Sequence, residues 1–588
     1  ACGSGNFLYV ALRELLDLQK AVIAWAGRRE LAEIPLTVSP EQLHGIEINT
    51  YAHELAQITA WIGYLQWRNE NGFGEIEDPV LQPLNNIKHM DAILVNGKDG
   101  KPIEPEWPVT DVIIGNPPFL GTKRMRGELG QEYVKSLHSL YGARIPGFSD
   151  LVCYWFEKAR TAIELNKAKR AGLIATNSIR QGENRRVLES IKSTGDIFLA
   201  YSDEPWMLDG AAVRISMVGF DDGSEQAKFL NGSKVSQINA ELTAGSFVVG
   251  DAQQLAENSE LAFMGAVKGG SFDIPEELAK VMLAGDESSP NRSNREVIKP
   301  TANATDITGR WRNYWIIDFG TDATMAEAQQ FVEPFTYVEQ IVKPEREKGK
   351  PTRSEWWLHM RPGKSMRQAI NPLARYIATP AHSKHRVFVW FSNSILSTHA
   401  IVIVAREDDY FFGVLHSKLH EQWALRLGTS LEDRPRYTPT TSFQTFPFPW
   451  SPGQEPAEAE DERVAEIAHW ARELVKWRDA WLNPPREGMY AGLGTAYDKM
   501  LNKRTLTNLY NGLVYYRETV KAGELFLKPE FDKVTRKSVS RAEIQELDDI
   551  HTALDHAVLD AYGWPHNLTD QQILERLLAL NHERANGT

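Results

Sequence analysis

The residues with the most specific chemical content are Asn116-Pro117-Pro118-Phe119, which follow the apolar run Val112-Ile113-Ile114 and Gly115. The run reads as a buried strand. Its end would deliver an amide side chain and a rigid carbonyl to the carboxyl edge of a sheet, where open α/β folds bind ligands. The Asn116 side-chain oxygen and the Pro117 carbonyl can both accept hydrogen bonds from one planar NH2 group. Those bonds pull the nitrogen toward tetrahedral geometry and free its lone pair for attack on a methyl donor. Proline supplies a fixed φ and no competing N–H, so the acceptors stand ready before substrate arrives. Phe119 offers a face on which a planar substrate stacks. Asn-Pro alone is more often a turn; the four-residue string at a strand end is what favours chemistry.

The elements that would position a second reactant lie upstream. Ala1-Cys2-Gly3-Ser4-Gly5-Asn6-Phe7-Leu8 runs into a helical pattern over 9–18. Gly3 and Gly5 allow the backbone to approach a cofactor closely at a strand-to-helix turn, although Gly-x-Gly alone is weak evidence. Residues 42–48 read as a strand ending in Glu47, a carboxylate placed to accept from ribose hydroxyls. A helix is expected over 52–67 with Leu55, Ile58, Ile62 and Leu65 on one face. Asp91, just before Ala92-Ile93-Leu94-Val95, is either an acceptor for an adenine amine or an ordinary turn aspartate.

These residues, in this order, resemble the S-adenosylmethionine-dependent adenine-specific DNA methyltransferases of the gamma arrangement. The resemblance implies a Rossmann-like α/β domain whose cofactor site comprises Ala1, Cys2, Gly3, Gly5, Phe7, Glu47, Ile48, Asp91 and Asn116. Within it, Gly3 and Gly5 line the methionine and ribose end, Glu47 holds the ribose hydroxyls and Asp91 the adenine amine. Asn116, Pro117, Pro118 and Phe119 hold the target base, and no metal is involved. The helix opened by Phe148-Ser149-Asp150-Leu151, a strand over 171–176 ending at Asn177, and strands near 197–201 and 213–220 also look like that fold.

From about Ser224 the character of the chain changes. Residues 242–250 and 262–265 are short β-like pieces, and 288–304 reads as a polar linker. Between Ile341 and Trp390 stand eleven Lys or Arg against three Glu. With Trp311, Trp315, Trp356 and Trp357 interleaved, that surplus suits phosphate contacts and packing on sugars or bases, and equally a basic face over a Trp-rich core. His382 and His385 read as DNA-facing or solvated, not as zinc ligands. The segment Leu431-Glu432-Asp433-Arg434-Pro435-Arg436-Tyr437-Thr438, followed by Ser442-Phe443-Gln444-Thr445-Phe446-Pro447-Phe448-Pro449, resembles the end of the target-recognition domain of MmeI-like (type IIL) restriction-modification enzymes. There the resemblance implies that Glu432 and Arg434, with Arg436 beside them, read DNA, with a C·G pair favoured at one position. A helical stripe from Ile467 through Trp470, Leu474, Trp477 and Trp481 reads as core, and 548–562 as a helix stopped by Gly563-Trp564-Pro565.

The expected organisation is a methyltransferase domain over 1–225, a mixed α/β target-recognition domain over 226–450 and a helical C-terminal domain over 451–588. Two cysteines in 588 residues exclude a disulfide framework and suit a reducing bacterial cytoplasm; no apolar run is long enough to span a membrane. No Pro-Cys dipeptide occurs, which removes the nucleophile of cytosine ring-carbon methylation, and no phosphate loop marks a nucleotide-driven motor. The expected activity is methyl transfer from S-adenosylmethionine to a flipped adenine in double-stranded DNA, by a monomer or transient oligomer. The alternatives are a recognition fragment with a crippled transferase, or a methyltransferase acting on a protein or RNA amine. The family pattern also implies an upstream strand, helical spacer and nuclease domain in a longer parent chain, so no cleavage activity is expected here.

Overall fold

The computed structural model describes residues 2–30, 34–74, 83–208, 211–244, 252–284, 292–348, 354–428, 430–431, 434–487, 495–521 and 528–587. The chain falls into two compact units, Ala1–Val248 and Val249–Thr588.

The first unit begins with α1 (Asn6–Gly27), entered through Gly5 in the left-handed region at φ 87°. Leu8, Leu12 and Leu16 face the core, packed against α2 (Thr50–Glu70). The Asn49 side chain caps α2 by accepting from the Ala52 N–H at 3.0 Å, which satisfies one orphan donor of the first turn. The face expected from Leu55, Ile58, Ile62 and Leu65 is not the buried one: Ile58 and Ile62 are 44% and 43% exposed. The helix buries Ala56, Ala60, Gly63, Tyr64 and Trp67 instead. Small side chains let α1 come close, since a Cβ on Gly63 would stand 2.4 Å from the Tyr9 ring. Close approach, rather than side-chain size, selects this face.

β1 (Gly45–Glu47) and β2 (Ile87–His89) pair in parallel. The main sheet holds β3 (Val112–Gly115), β4 (Arg170–Thr176), β5 (Asp196–Leu208), β6 (Ala211–Asp221), β7 (Lys228–Leu230) and β8 (Ser233–Val235), in the order β8-β7-β5-β6-β4-β3. β3 and β4 run parallel, and β6 pairs antiparallel with both β4 and β5, so β5 and β6, which contain the strands expected near 197–201 and 213–220, form a hairpin. β3 corrects the expectation of a buried strand. It ends the sheet order, and Val112 and Ile114 are 50% and 43% exposed, with Ile113 packed on the core. An apolar triplet reads the same whether one or both of its faces are covered. α3 (Gln131–Tyr141), α4 (Val152–Glu164) and α5 (Arg185–Thr194) follow the strands. α4 is buried continuously from Val152 through Ala159, with the buried Glu157 carboxylate met by Arg160 at 2.8 Å.

The second unit contains two four-stranded sheets. One orders Ala262–Met264, Ile401–Val404, Arg375–Pro380 and Val389–Ser392, all antiparallel. The other orders Asp273–Ile274, Trp315–Ile317, Ile298–Ala302 and Leu396–Ser397. Ile298–Ala302 corrects the reading of 288–304 as linker: its latter half is an inner strand, with Ile298, Thr301 and Ala302 buried. The helix Glu462–Leu482 packs on Asp409–His416 and Arg541–Tyr562. It buries Ile467, Leu474 and Trp481 as the stripe predicts, while Trp470 and Trp477 stay half-exposed and donate to Glu466 and Glu546. Gly563 ends Arg541–Tyr562 at φ 67°, the conformation glycine adopts at no steric cost.

Candidate active site

The glycine turn and the end of β1 are one hydrogen-bonded unit. Cys2 N–H donates to the Ile46 carbonyl at 2.9 Å, and Gly5 N–H to the Cys2 carbonyl at 3.1 Å. Gly3 N–H donates to Glu47 Oε2 at 2.8 Å, and Asn49 N–H to Glu47 Oε1 at 2.9 Å. A Cβ on Gly5 would meet the Ala56 Cα at 2.9 Å, whereas the space beside Gly3 is open. Each carboxylate oxygen of Glu47 keeps a lone pair beyond its backbone donor, so the buried Glu47 side chain can accept from a diol as well. Burial pushes the Cys2 thiol up, which keeps it a neutral wall of the turn. Phe7 is half-buried on α1, and Ile48 is 63% exposed just past β1. Ala1 lies outside the described residues.

Asp91 follows β2 and is tied to the same corner, because Met90 N–H donates to the Glu47 carbonyl at 3.0 Å. Its Oδ1 accepts from the Ile93 and Leu94 N–H groups at 2.8 and 3.1 Å, and its Oδ2 from the Tyr133 hydroxyl at 2.7 Å. Asp91 is thus a turn aspartate, and one acceptor position of its four stays available for an amine. Sequence reading missed Tyr133, on α3; burial and the Asp91 carboxylate push its phenol well above the ordinary range, so it remains a donor. These features fit S-adenosylmethionine: an open glycine turn, a carboxylate with spare lone pairs for a ribose and a second one for an adenine.

Asn116 follows β3 directly. Its side-chain Oδ1 is buried and has no hydrogen-bond partner, a state that costs free energy unless a donor arrives. Pro117 is buried, Pro118 exposed and Phe119 half-buried. Ile46 on β1 and Ile113 on β3 pack against the same core, which sets the ends of the two strands on one scaffold. The loop after Phe119 is held from 28 residues away: Thr122 N–H donates to Asp150 Oδ1 at 3.1 Å, and the Thr122 hydroxyl to the Phe148 carbonyl at 2.7 Å. Leu151 N–H donates to the Leu120 carbonyl at 2.9 Å. The other Asp150 oxygen accepts from the Ser178 hydroxyl at 3.0 Å and from Asn184 Nδ2 at 2.7 Å. In sequence, Asp150 signals only the start of a helix; its grip on the 120–122 loop has no local signature.

In the second unit Ser430–Leu431 pairs with Arg434–Pro435, and of the expected recognition residues Arg434 lies in this pair. Glu432 lies outside the described residues, of Arg434 only the backbone is described, and Arg436 is exposed. The stem is firmly held. The buried Arg386 donates to the Thr379 hydroxyl at 3.0 Å and to the Pro435 carbonyl at 3.1 Å, and Tyr437 N–H to the Ala381 carbonyl at 2.8 Å. Exposed His382 pairs through its backbone with Arg436, while His385 bonds Asn511 at 2.8 Å.

Four arginines of the basic stretch are turned inward. Arg346 donates to the carbonyls of Lys268, Gly269 and Glu355. Arg367 forks onto buried Asp318 at 2.7 and 2.9 Å. Arg375 pairs with Asp409 and lies 3.8 Å over the Trp390 ring. Together with Arg386, these guanidinium groups serve the unit's own acceptors. Trp356 packs against Phe335, and Trp357 Nε1–H donates to the Ala323 carbonyl at 2.9 Å. Among the described residues no helix is long and apolar enough to cross a membrane.

Comparison with known proteins agrees with this layout. Residues 1–231 match the model of the MmeI DNA-methyltransferase domain, and 262–450 that of the MmeI target recognition domain. DNA methyltransferase A of Bacillus subtilis (strain 168) is 30% identical over 267 residues, 42% of this chain and 29% of that protein; the match thus spans less than a third of the relative's length. The solved type IIL restriction-modification enzyme MmeI, in complex with DNA, superposes with a TM-score of 0.69 at 21% identity, covering 100% of this chain and 72% of that one. With a methyltransferase domain and a target recognition domain of MmeI type in this order, the chain belongs to the MmeI family.

Proposed function

We propose that this chain transfers a methyl group from S-adenosylmethionine to the N6 amine of an adenine flipped out of duplex DNA, within a restriction-modification system. The observation that carries this reading is the buried, unpartnered Oδ1 of Asn116. It is an acceptor without a donor, beside the fixed Pro117 carbonyl and the half-buried Phe119 ring. A planar amine satisfies both oxygens. Base extrusion costs a few kcal/mol, which stacking on Phe119 and the two hydrogen bonds offset. The cofactor supplies an electrophilic methyl on a sulfonium. Asn116 and the Pro117 carbonyl would hold the amine toward that methyl, and the proton the amine sheds on methylation would pass to water. Positioning and fixed dipoles carry most of the rate.

Within the cofactor site we assign Gly3, Gly5 and Glu47 to the methionine and ribose end and Asp91 to the adenine, with Cys2, Phe7 and Ile48 as flanking walls; Ala1 is assigned to the same site from the sequence alone. Glu432, Arg434 and Arg436 are assigned to base reading; Arg386 holds the Pro435 carbonyl between the latter two. Residues 451–588 support this second unit as helical packing. The test is incubation of the 588-residue chain with radiolabelled S-adenosylmethionine and unmethylated duplex DNA, followed by nucleoside digestion and mass spectrometry. Label in N6-methyladenine at one sequence motif is the expected result. Label in methylcytosine, or on protein or RNA only, would overturn it.

A further inference from the structure

Phe148 is 80% exposed, more than any other large apolar side chain among the described residues. A single exposed apolar residue is ordinary on a protein surface, but the placing of this one is not. Its carbonyl accepts from the Thr122 hydroxyl at 2.7 Å, three residues beyond Phe119. On either side of it the backbone is fixed: Ser149 is buried, with its N–H on the Pro146 carbonyl at 3.1 Å, and Asp150 N–H donates to Asn184 Oδ1 at 2.7 Å. Leu151 N–H closes the link onto the Leu120 carbonyl. The ring is therefore presented to solvent by a rigid loop bonded to the segment that carries Asn116 and Phe119. The helix Thr122–Glu128 starts at the same joint and exposes Arg124, paired with Glu128, and Arg126, a charge that suits a DNA backbone.

Phe119, assigned to stacking on the base, is half-buried. Phe148 is not. An apolar side chain projecting beside a base-binding loop is suited to entering the base stack, where Phe, Leu, Ile and Met act as wedges. We propose that Phe148 enters duplex DNA beside the target base and fills the space that this base vacates. The proposal rests on the reading of the chain as a base-flipping DNA methyltransferase. The ring raises the population of the extruded base, because collapse of the stack onto the empty position requires its removal.

The test uses the whole chain and a duplex carrying the motif found by sequencing methylated DNA, with 2-aminopurine at the target adenine to report extrusion. Phe148→Ala is expected to reduce the fluorescence rise and to slow single-turnover methylation of the ordinary duplex about tenfold. Phe148→Leu retains most of both. On a duplex whose target adenine faces an abasic site, where pairing no longer opposes extrusion, Phe148→Ala is expected to methylate within about threefold of the wild type. Equal rates for wild type and Phe148→Ala on the ordinary duplex would overturn the wedge alone. An equal loss on both duplexes would also overturn it, and would place the ring on the flipped base itself. A wild type that neither extrudes nor methylates any base removes the parent reading and the wedge with it.

Discussion

The backbone N–H of Gly3 donates to Oε2 of Glu47 at 2.8 Å, joining residues 44 positions apart. Through this bond the glycine turn and the carboxyl end of β1 form one rigid corner, and Met90 N–H on the Glu47 carbonyl brings the residue before Asp91 into it. A carboxylate oriented by two backbone donors presents its remaining lone pairs in fixed directions.

Glu47→Ala removes both the corner bond and the acceptor for a ribose diol. Hydrogen bonds to a charged group contribute about 1.5–3 kcal/mol, so affinity for S-adenosylmethionine is expected to fall about tenfold to hundredfold. Calorimetric titration of the variant beside the wild type measures this. Equal affinity would remove Glu47 from the cofactor site.

The two glycines of the turn predict different costs. A Cβ at Gly5 stands 2.9 Å from the Ala56 backbone at φ +87°, while at Gly3 it meets open space at φ +56°. Gly3→Ala should cost about 1–2 kcal/mol from the left-handed backbone alone, and Gly5→Ala at least about 1 kcal/mol more because α1 and α2 must separate. Urea midpoints of the two variants decide it; equal losses would contradict the packing described for α1 against α2.

Acid should unfold the second unit through its buried histidines. His420 is fully buried, its Nδ1–H on the Leu415 carbonyl at 2.9 Å and its Nε2 accepting from the Tyr437 hydroxyl at 3.0 Å. Burial pulls it down to about 3, and buried His359 down to about 4. The unfolded chain takes up these protons near pH 6.5 while the folded chain refuses them. Their contribution is therefore complete above about pH 6.5 and is lost as the pH falls through about 4 and then about 3. His420→Gln is expected to be less stable at pH 7 yet to show a stability slope between pH 6 and 4 that is shallower by about one proton. An unchanged slope in denaturant titrations across that range would contradict the burial of a neutral imidazole there.

The order of Gly3, Gly5, Glu47, Asp91 and Asn116 is legible in the sequence because each meets a local demand, whether a left-handed φ, an acceptor at a strand end or a rigid proline. The hairpin of β5 and β6 and the helix stopped at Gly563 are legible for the same reason. What stays hidden is settled over long range. α2 turns Ala56, Ala60 and Gly63, with Tyr64 and Trp67, to the core and leaves Ile58 and Ile62 exposed, because Tyr9 comes close to Gly63. Asp150 reads as a helix start, yet it holds Thr122. The surplus of positive charge after Ile341 reads equally as a DNA face and as a basic face over a core; within it, Arg346, Arg367, Arg375 and Arg386 turn onto carbonyls and carboxylates of their own unit. A count of charges carries no information about which acceptors the fold will bring to them.

The most direct test of the account is the single-turnover rate of methyl transfer to DNA by Asn116→Ala, measured beside its affinity for S-adenosylmethionine. Removing the unpartnered Oδ1 should leave that affinity within about threefold and lower the rate by about a hundredfold or more, since an acceptor aimed at a reacting amine contributes about 3 kcal/mol or more. Retention of more than a tenth of the wild-type rate would show that the amine is activated elsewhere, and the assignment of Asn116 would fall.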